Sequence, residues 1–233
     1  MKWEHLFSKK RLGREDRPYN SLSRTEFQRD LDRIVFSSPF RRLQNKTQVV
    51  PLPDSDHVRN RLTHSIETSS VGRSIGTLVG EALIDKYPQM FQSIGVYETD
   101  LGALVSAACL AHDLGNPPFG HSGEDAISAY FIDGAGRDMI KSCTPEQIYD
   151  LQHFEGNASG FRLLTSTGDA ESELEGGLGL TYTTLATFSK YPKQSLPELK
   201  KEKKASGKKY GFFQTEKEIF ANVANELKLK PKK

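Results

Sequence analysis

Apolar residues along this chain recur at helical spacing far more often than they alternate. Ile66, Val71, Ile75, Leu78, Val79 and Leu83 fall mostly three or four positions apart, the spacing that lines one face of an α-helix. Thr63 is the expected cap of that helix, with Ile66 and Glu67 opening it. A second helix is expected from Asp100 to Leu114, capped by Asp100, with Leu101, Leu104, Val105, Ala108 and Cys109 inward. Gly115, Pro117 and Pro118 end it, because neither proline extends a helix. Ser122 with Asp125 reads as a capping box for a third helix through Tyr130. Phe154 to Thr165, Thr181 to Phe188 and Thr215 to Leu229 are further helical candidates, the last opened by Thr215 and Glu218. Upstream, the arginine-rich stretch from Arg24 to Arg42 carries Ile34, Val35, Phe36 and Phe40 as apolar anchors. A turn is expected at Pro51-Leu52-Pro53-Asp54, and Thr47 to Leu52 is the one short strand candidate. The expected fold class is mainly α.

Length and composition narrow this picture. A chain of 233 residues suits one sizeable domain over 1–233, with a core that needs no disulfide or metal staple. The lysine-rich stretch at 190–209, with its prolines and glycine, reads as a solvated loop in preference to a nucleic-acid contact. Near balance of charge, +2 overall, argues against a histone-like or ribosomal binder and leaves room for local basic patches. Cys109 and Cys143 form no CxxC pair and read as reduced thiols, Cys109 in the core. Met1 to Asp16 lacks the apolar stretch of a secretion signal. The longest nearly apolar run, Leu101 to Ala111, is about half of a bilayer span. A soluble, cytoplasmic protein without membrane contact is the expectation.

The candidate chemistry lies in Ala111-His112-Asp113-Leu114-Gly115-Asn116-Pro117-Pro118-Phe119-Gly120-His121-Ser122-Gly123-Glu124. Consecutive helical positions point about 100° apart, so His112 and Asp113 can grip one ion only where a helix end frees them. The glycines and prolines that follow return the chain tightly and bring His121 and Glu124 towards the same place. His64 lies in a helix expected to pack alongside. Imidazoles with a carboxylate and no thiolate suit Mn, Fe, Co, Ni, Zn or Mg. A buried His-Asp pair that merely ties a helix end is the structural alternative, and spacing alone leaves both open. His5 reads as exposed tail and His57 as surface.

A histidine followed by His-Asp at the end of a later helix is the signature of the HD superfamily. The longer wording resembles bacterial deoxynucleoside triphosphate triphosphohydrolases, the dGTPases. It includes Phe27 to Leu43, Lys46-Thr47-Gln48-Val49, Arg59-Asn60-Arg61-Leu62-Thr63-His64-Ser65, Ala111 to His121, and Tyr210-Gly211-Phe212-Phe213 with Glu216. The similarity covers most of the chain. A phosphodiesterase of cyclic nucleotides or nucleic-acid ends shares the metal motif but not this wording.

The resemblance implies an HD-type helical fold whose divalent metal, Mg or Mn first, is held by His64, His112 and Asp113. It implies that His121 and Glu124 assist hydrolysis of a deoxynucleoside triphosphate, dGTP foremost, to deoxynucleoside and triphosphate. It places Gln44 near the sugar and His153 near the phosphates. Arg61, one helical turn before His64, is the expected phosphate cation. Arg41, Arg42 and Lys46 stand open between phosphate contacts and surface charges. It also implies a homo-oligomer, hexamers being frequent. The family takes a fourth ligand, an aspartate on a helix beyond the Tyr-Gly-Phe-Phe segment, and no aspartate follows Asp169 here. The expectation is therefore an incomplete family fold, truncated at the C-terminus. Its alternative function is a non-catalytic or partner-completed remnant that binds nucleotide or assembles with relatives.

Overall fold

The computed structural model describes residues 2–16, 23–48, 59–166, 176–195 and 209–230. Among them the chain is helical, with isolated β-bridges and no strand. In chain order the helices are α1 (Trp3–Leu6), α2 (Glu26–Val35), α3 (Ser38–Arg41), α4 (Arg61–Lys86), α5 (Pro88–Ile94) and α6 (Glu98–Ala111). There follow α7 (His121–Ile132), α8 (Gly136–Met139), α9 (Pro145–Gln152), α10 (Gly156–Thr165), α11 (Tyr182–Phe188) and α12 (Lys217–Glu226). Short 3₁₀ turns occupy Arg42–Asn45 and Gln214–Glu216.

The central pair is α4 against α6, and small residues make the contact. Ser65, Ser69, Gly72, Gly76 and Gly80 are the buried residues of α4 beyond Arg61. A Cβ added at Gly76 would stand 2.7 Å from the Leu101 carbonyl oxygen, and one at Gly80 would stand 2.9 Å from the Glu98 Cα. The two backbones touch, which only glycine permits at these positions. Ser69 donates to the Ser106 carbonyl at 3.0 Å and pairs with its hydroxyl at 2.7 Å, so these two serines tie the helices across the seam.

The aliphatic face of α4 is not the one that packs against α6. Val71, Ile75, Leu78 and Val79 are exposed, as is Ile66, and Leu83 is half-buried. The aliphatic periodicity marked a real face, but burial against α6 depends on how closely the backbones approach. Val105, Ala108 and Cys109 of α6 are likewise half-buried, while Leu101 and Leu104 are fully inside.

On the other side of α6, Ala107, Leu110, Ala111 and Leu114 enter the main core with Ile34, Leu43, Phe161, Leu164, Leu180 and Val223. A smaller cluster of Phe7, Phe27, Phe91, Val96 and Leu104 closes the opposite end of α6. Of the arginine-rich anchors, Ile34 and Phe40 are core, whereas Val35 and Phe36 face out.

Several helix ends differ from the sequence expectation in how backbone donors are met. Asn60 caps α4, with Thr63 three residues in returning the bond to the Asn60 N–H. The Asp100 carboxylate accepts the Tyr97 N–H at 3.0 Å, so α6 begins before Asp100. Gly120, at φ 56°, precedes α7 with no side-chain cap, and Ser122 lies inside that helix. Thr215 opens no capping box; its hydroxyl donates to Glu216 at 2.8 Å, and α12 begins at Lys217. Thr181 caps α11, its side chain accepting the Thr184 N–H. The Pro51–Asp54 turn and most of the strand candidate and the lysine-rich loop lie outside the described residues; Thr47 makes a single bridge to Asn60.

Glu216 and Asp150 are buried where α9, α10 and the 3₁₀ turn before α12 meet. Glu216 accepts from Arg162 Nη1 at 2.8 Å, and Asp150 accepts the Gln214 N–H at 2.8 Å. Burial pushes both carboxyls above the usual carboxylate range, and the Asp150 charge adds to the effect on Glu216. Such groups hold protons more tightly folded than unfolded. Their contribution to stability is therefore complete below the ordinary carboxylate pKa, about 4, and is lost as pH rises through the raised folded value. Asp150→Asn is expected to gain stability relative to the parent chain between about pH 4 and neutrality. Urea midpoints across that range test this, and a difference independent of pH contradicts it.

Candidate metal centre

Three side chains from two parts of the fold converge. His64 sits in the first turn of α4, while His112 and Asp113 follow immediately on α6. One donor atom from each lies within 4.8 Å of the others. The His64 and His112 rings meet edge-on with centroids 5.1 Å apart. The seam of glycines and serines makes this possible, since larger residues there would push His64 away from His112.

The donors are also oriented. His112 Nδ1–H donates to the Cys109 carbonyl at 2.6 Å, which leaves Nε2 as the free lone pair, 3.4 Å from Asp113 Oδ1. Asp113 is buried and held on both oxygens. Arg61 Nη1 pairs with Oδ2 at 2.8 Å, and the Asn116 carboxamide donates to Oδ1 at 2.5 Å. Two half-buried imidazoles and a fixed carboxylate, without thiolate, match the donor chemistry of a borderline or hard divalent ion.

The return loop carries the second pair. Phe119 and Gly120 have φ of 66° and 56°, and they reverse the chain between Pro118 and α7. A Cβ at Gly120 would stand 3.3 Å from Arg61 Nη2, so the loop lies against the arginine that holds Asp113. His121 opens α7 with its ring exposed, and its Nδ1–H donates to Glu124 Oε2 at 2.8 Å. The other Glu124 oxygen accepts the Gly156 N–H at 2.8 Å, which fixes the carboxylate to the start of α10.

The remaining candidates occupy different surroundings. Arg61 is buried against Asp113, so its charge is shared with a candidate ligand. Gln44 is exposed on the 3₁₀ turn Arg42–Asn45, which is tied to α4 by the Arg61 N–H to Lys46 carbonyl bond at 3.0 Å. His153 ends α9, stacked on Tyr149 with centroids 4.0 Å apart, and its carbonyl accepts from the Tyr210 hydroxyl. Arg41 and Arg42 are exposed.

Two residues acquire positions that sequence reasoning did not give them. Asn116 was visible only as part of a motif; its contact with Asp113 depends on the tight return after α6. Lys46 Nζ donates to the Asn116 carbonyl at 2.8 Å and to that of Leu114 at 3.3 Å. Burial, then the neighbouring Arg61 charge, lowers its pKa.

No family model matches the chain. Curated relatives do. A deoxyguanosinetriphosphate triphosphohydrolase-like protein of Synechocystis is 47% identical over 98% of this chain and 52% of its own length. Proteins of the same description from Pseudomonas aeruginosa and Listeria innocua are 44% and 38% identical, over 97% and 96% of this chain and 49% of their own lengths. The chain thus spans about half the length of the curated relatives it matches. With that similarity running through almost every residue, the chain belongs to the deoxyguanosinetriphosphate triphosphohydrolase-like family.

Proposed function

We propose that this chain carries the metal-binding and proton-transfer residues of a deoxynucleoside triphosphate triphosphohydrolase, with dGTP as the first substrate to try. The observation that carries the reading is the convergence of His64, His112 and Asp113 within 4.8 Å, beside the His121–Glu124 pair. Mg or Mn is the preferred ion in this reading. A divalent ion there would supply positive charge to offset the negative charge developing on the oxygens of the α-phosphate during hydrolysis.

The protein groups divide the remaining work. His64, His112 and Asp113 would hold the ion, with Arg61 and Asn116 fixing the Asp113 carboxylate. Arg61 and Lys46 would add cations for the phosphates. His121 would present Nε2 to the departing 5′ oxygen and donate its proton there. Glu124, pinned by the Gly156 N–H, would keep the His121 proton on Nδ1 when the ring is neutral and hold the ring in place. Gln44 and His153 would meet the sugar and the phosphates.

A second reading has its own observation: the cluster among the described residues holds three ligands. A chain with that set could bind metal and nucleotide without turnover. Incubation of the purified chain with dGTP and Mn separates the two. The enzyme reading expects deoxyguanosine and triphosphate in equal amounts, absent with His112→Ala. His121→Ala should retain metal yet lose about 10²–10⁴-fold in rate. Metal binding with no product would leave the non-catalytic reading.

A further inference from the structure

Beyond the site, α4 has a second face that covers nothing among the described residues. Val71, Ile75, Leu78 and Val79 are 59%, 55%, 65% and 49% exposed. Their spacing of four, seven and eight residues from Val71 makes one continuous stripe, and exposed Ala82 extends it by a turn. The opposite face is already filled by the seam with α6. This helix therefore has two packing faces, one used and one bare.

We propose that the bare ridge is the docking strip for an amphipathic helix from the part of the family's polypeptide that the present sequence does not span. Two observations select this occupant. The matches run through 97–98% of this chain but only 49–52% of the relatives, so those proteins carry a comparable length besides the part matched here. The ridge is also narrow: four partly exposed side chains offer on the order of 400 Å² of apolar surface. A stable dimer of copies uses about 800 Å² per partner, roughly twice that. One helix laid along the stripe, anchored by apolar residues at steps of three and four, is the complement that fits.

The test co-expresses the tagged, full 233-residue chain with the stretch of the Synechocystis relative outside the matched region. The two polypeptides should co-purify as a one-to-one complex by size exclusion with light scattering. Ile75→Asp with Leu78→Asp should reduce recovery of the partner at least tenfold. The far-UV circular dichroism of the doubly substituted chain should stay that of the parent, since both side chains are exposed. Failure to co-purify would overturn the proposal, as would a complex indifferent to the two substitutions. A dimer of the chain alone that the substitutions dissociate would give the ridge to a second copy and equally overturn it.

Discussion

Asp30→Ala is expected to destabilise the fold by about 3–5 kcal/mol, the cost of stripping one partner from a buried ion pair. Asp30 has no exposed surface, and Arg11 is buried beside it. Arg11 Nη1 donates to Asp30 Oδ1 at 2.5 Å and to the Gly179 carbonyl at 2.7 Å, while Nε pairs with Glu26. The second Asp30 oxygen accepts the Thr181 N–H at 3.0 Å and the Thr181 and Thr184 hydroxyls at 2.6 Å. Alanine would leave a void on one side of the buried guanidinium and take the Asp30 acceptor from the Thr181 N–H and the Thr184 hydroxyl, while the Thr181 hydroxyl keeps Thr184. Because these residues join the segment between α1 and α2, α2 itself and the start of α11, the loss should appear as a lower midpoint of global unfolding. Asp30→Asn should lose less than alanine, as it keeps an acceptor. A urea midpoint unchanged in Asp30→Ala would contradict this account of what ties the three segments together.

Gly76→Val should act on both stability and the metal. Even a methyl group at position 76 would sit 2.7 Å from the Leu101 carbonyl oxygen, with the Gly102 Cα at 3.0 Å. Backbone cannot rotate aside as a side chain can, so α4 and α6 must separate. Overpacking of this kind costs about 1–3 kcal/mol, and a Cβ with two methyls against backbone belongs at the upper end. His64 lies on one of these helices and His112 at the end of the other, so separation should also weaken metal binding while leaving every ligand in the chain. Calorimetric unfolding together with Mn titration checks both effects. A variant of normal stability and normal affinity would show that close backbone contact does not set the ligand spacing.

The sequence made helices legible wherever apolar spacing was strong, as in α4 and α6, and the His64 and His112-Asp113 wording pointed to the three side chains that the fold brings within 4.8 Å. It did not reveal which face of α4 is buried. Periodicity weighs large aliphatic residues, whereas the seam is made by Ser65, Ser69, Gly72, Gly76 and Gly80 through backbone proximity. The Arg11–Asp30–Thr181 clamp was equally hidden, because its members are joined only by the folded chain. Asn116 and Lys46 illustrate the same limit near the metal centre. Their partners are a carboxylate oxygen and two carbonyls that come within reach only after the loop from Leu114 to Gly120 turns back. Helix starts shifted for a local reason: the donors at α4 and α6 are met by Asn60 and Asp100 from positions other than those first expected.

Among the described residues no single helix is long and apolar enough to cross a membrane. The stretch from Leu101 to Ala111 is spent within the protein, on the core and on the α4 seam, and it ends at His112 and Asp113.

The most direct test is a titration of the metal-free chain with Mn²⁺, read by electron paramagnetic resonance of the free ion. One ion should bind per chain, and affinity should fall on the order of a hundredfold or more in both His64→Ala and Asp113→Asn, with the folded state retained in each. Absence of saturable binding, or binding that survives both substitutions, would contradict a metal centre at the meeting of α4 and α6.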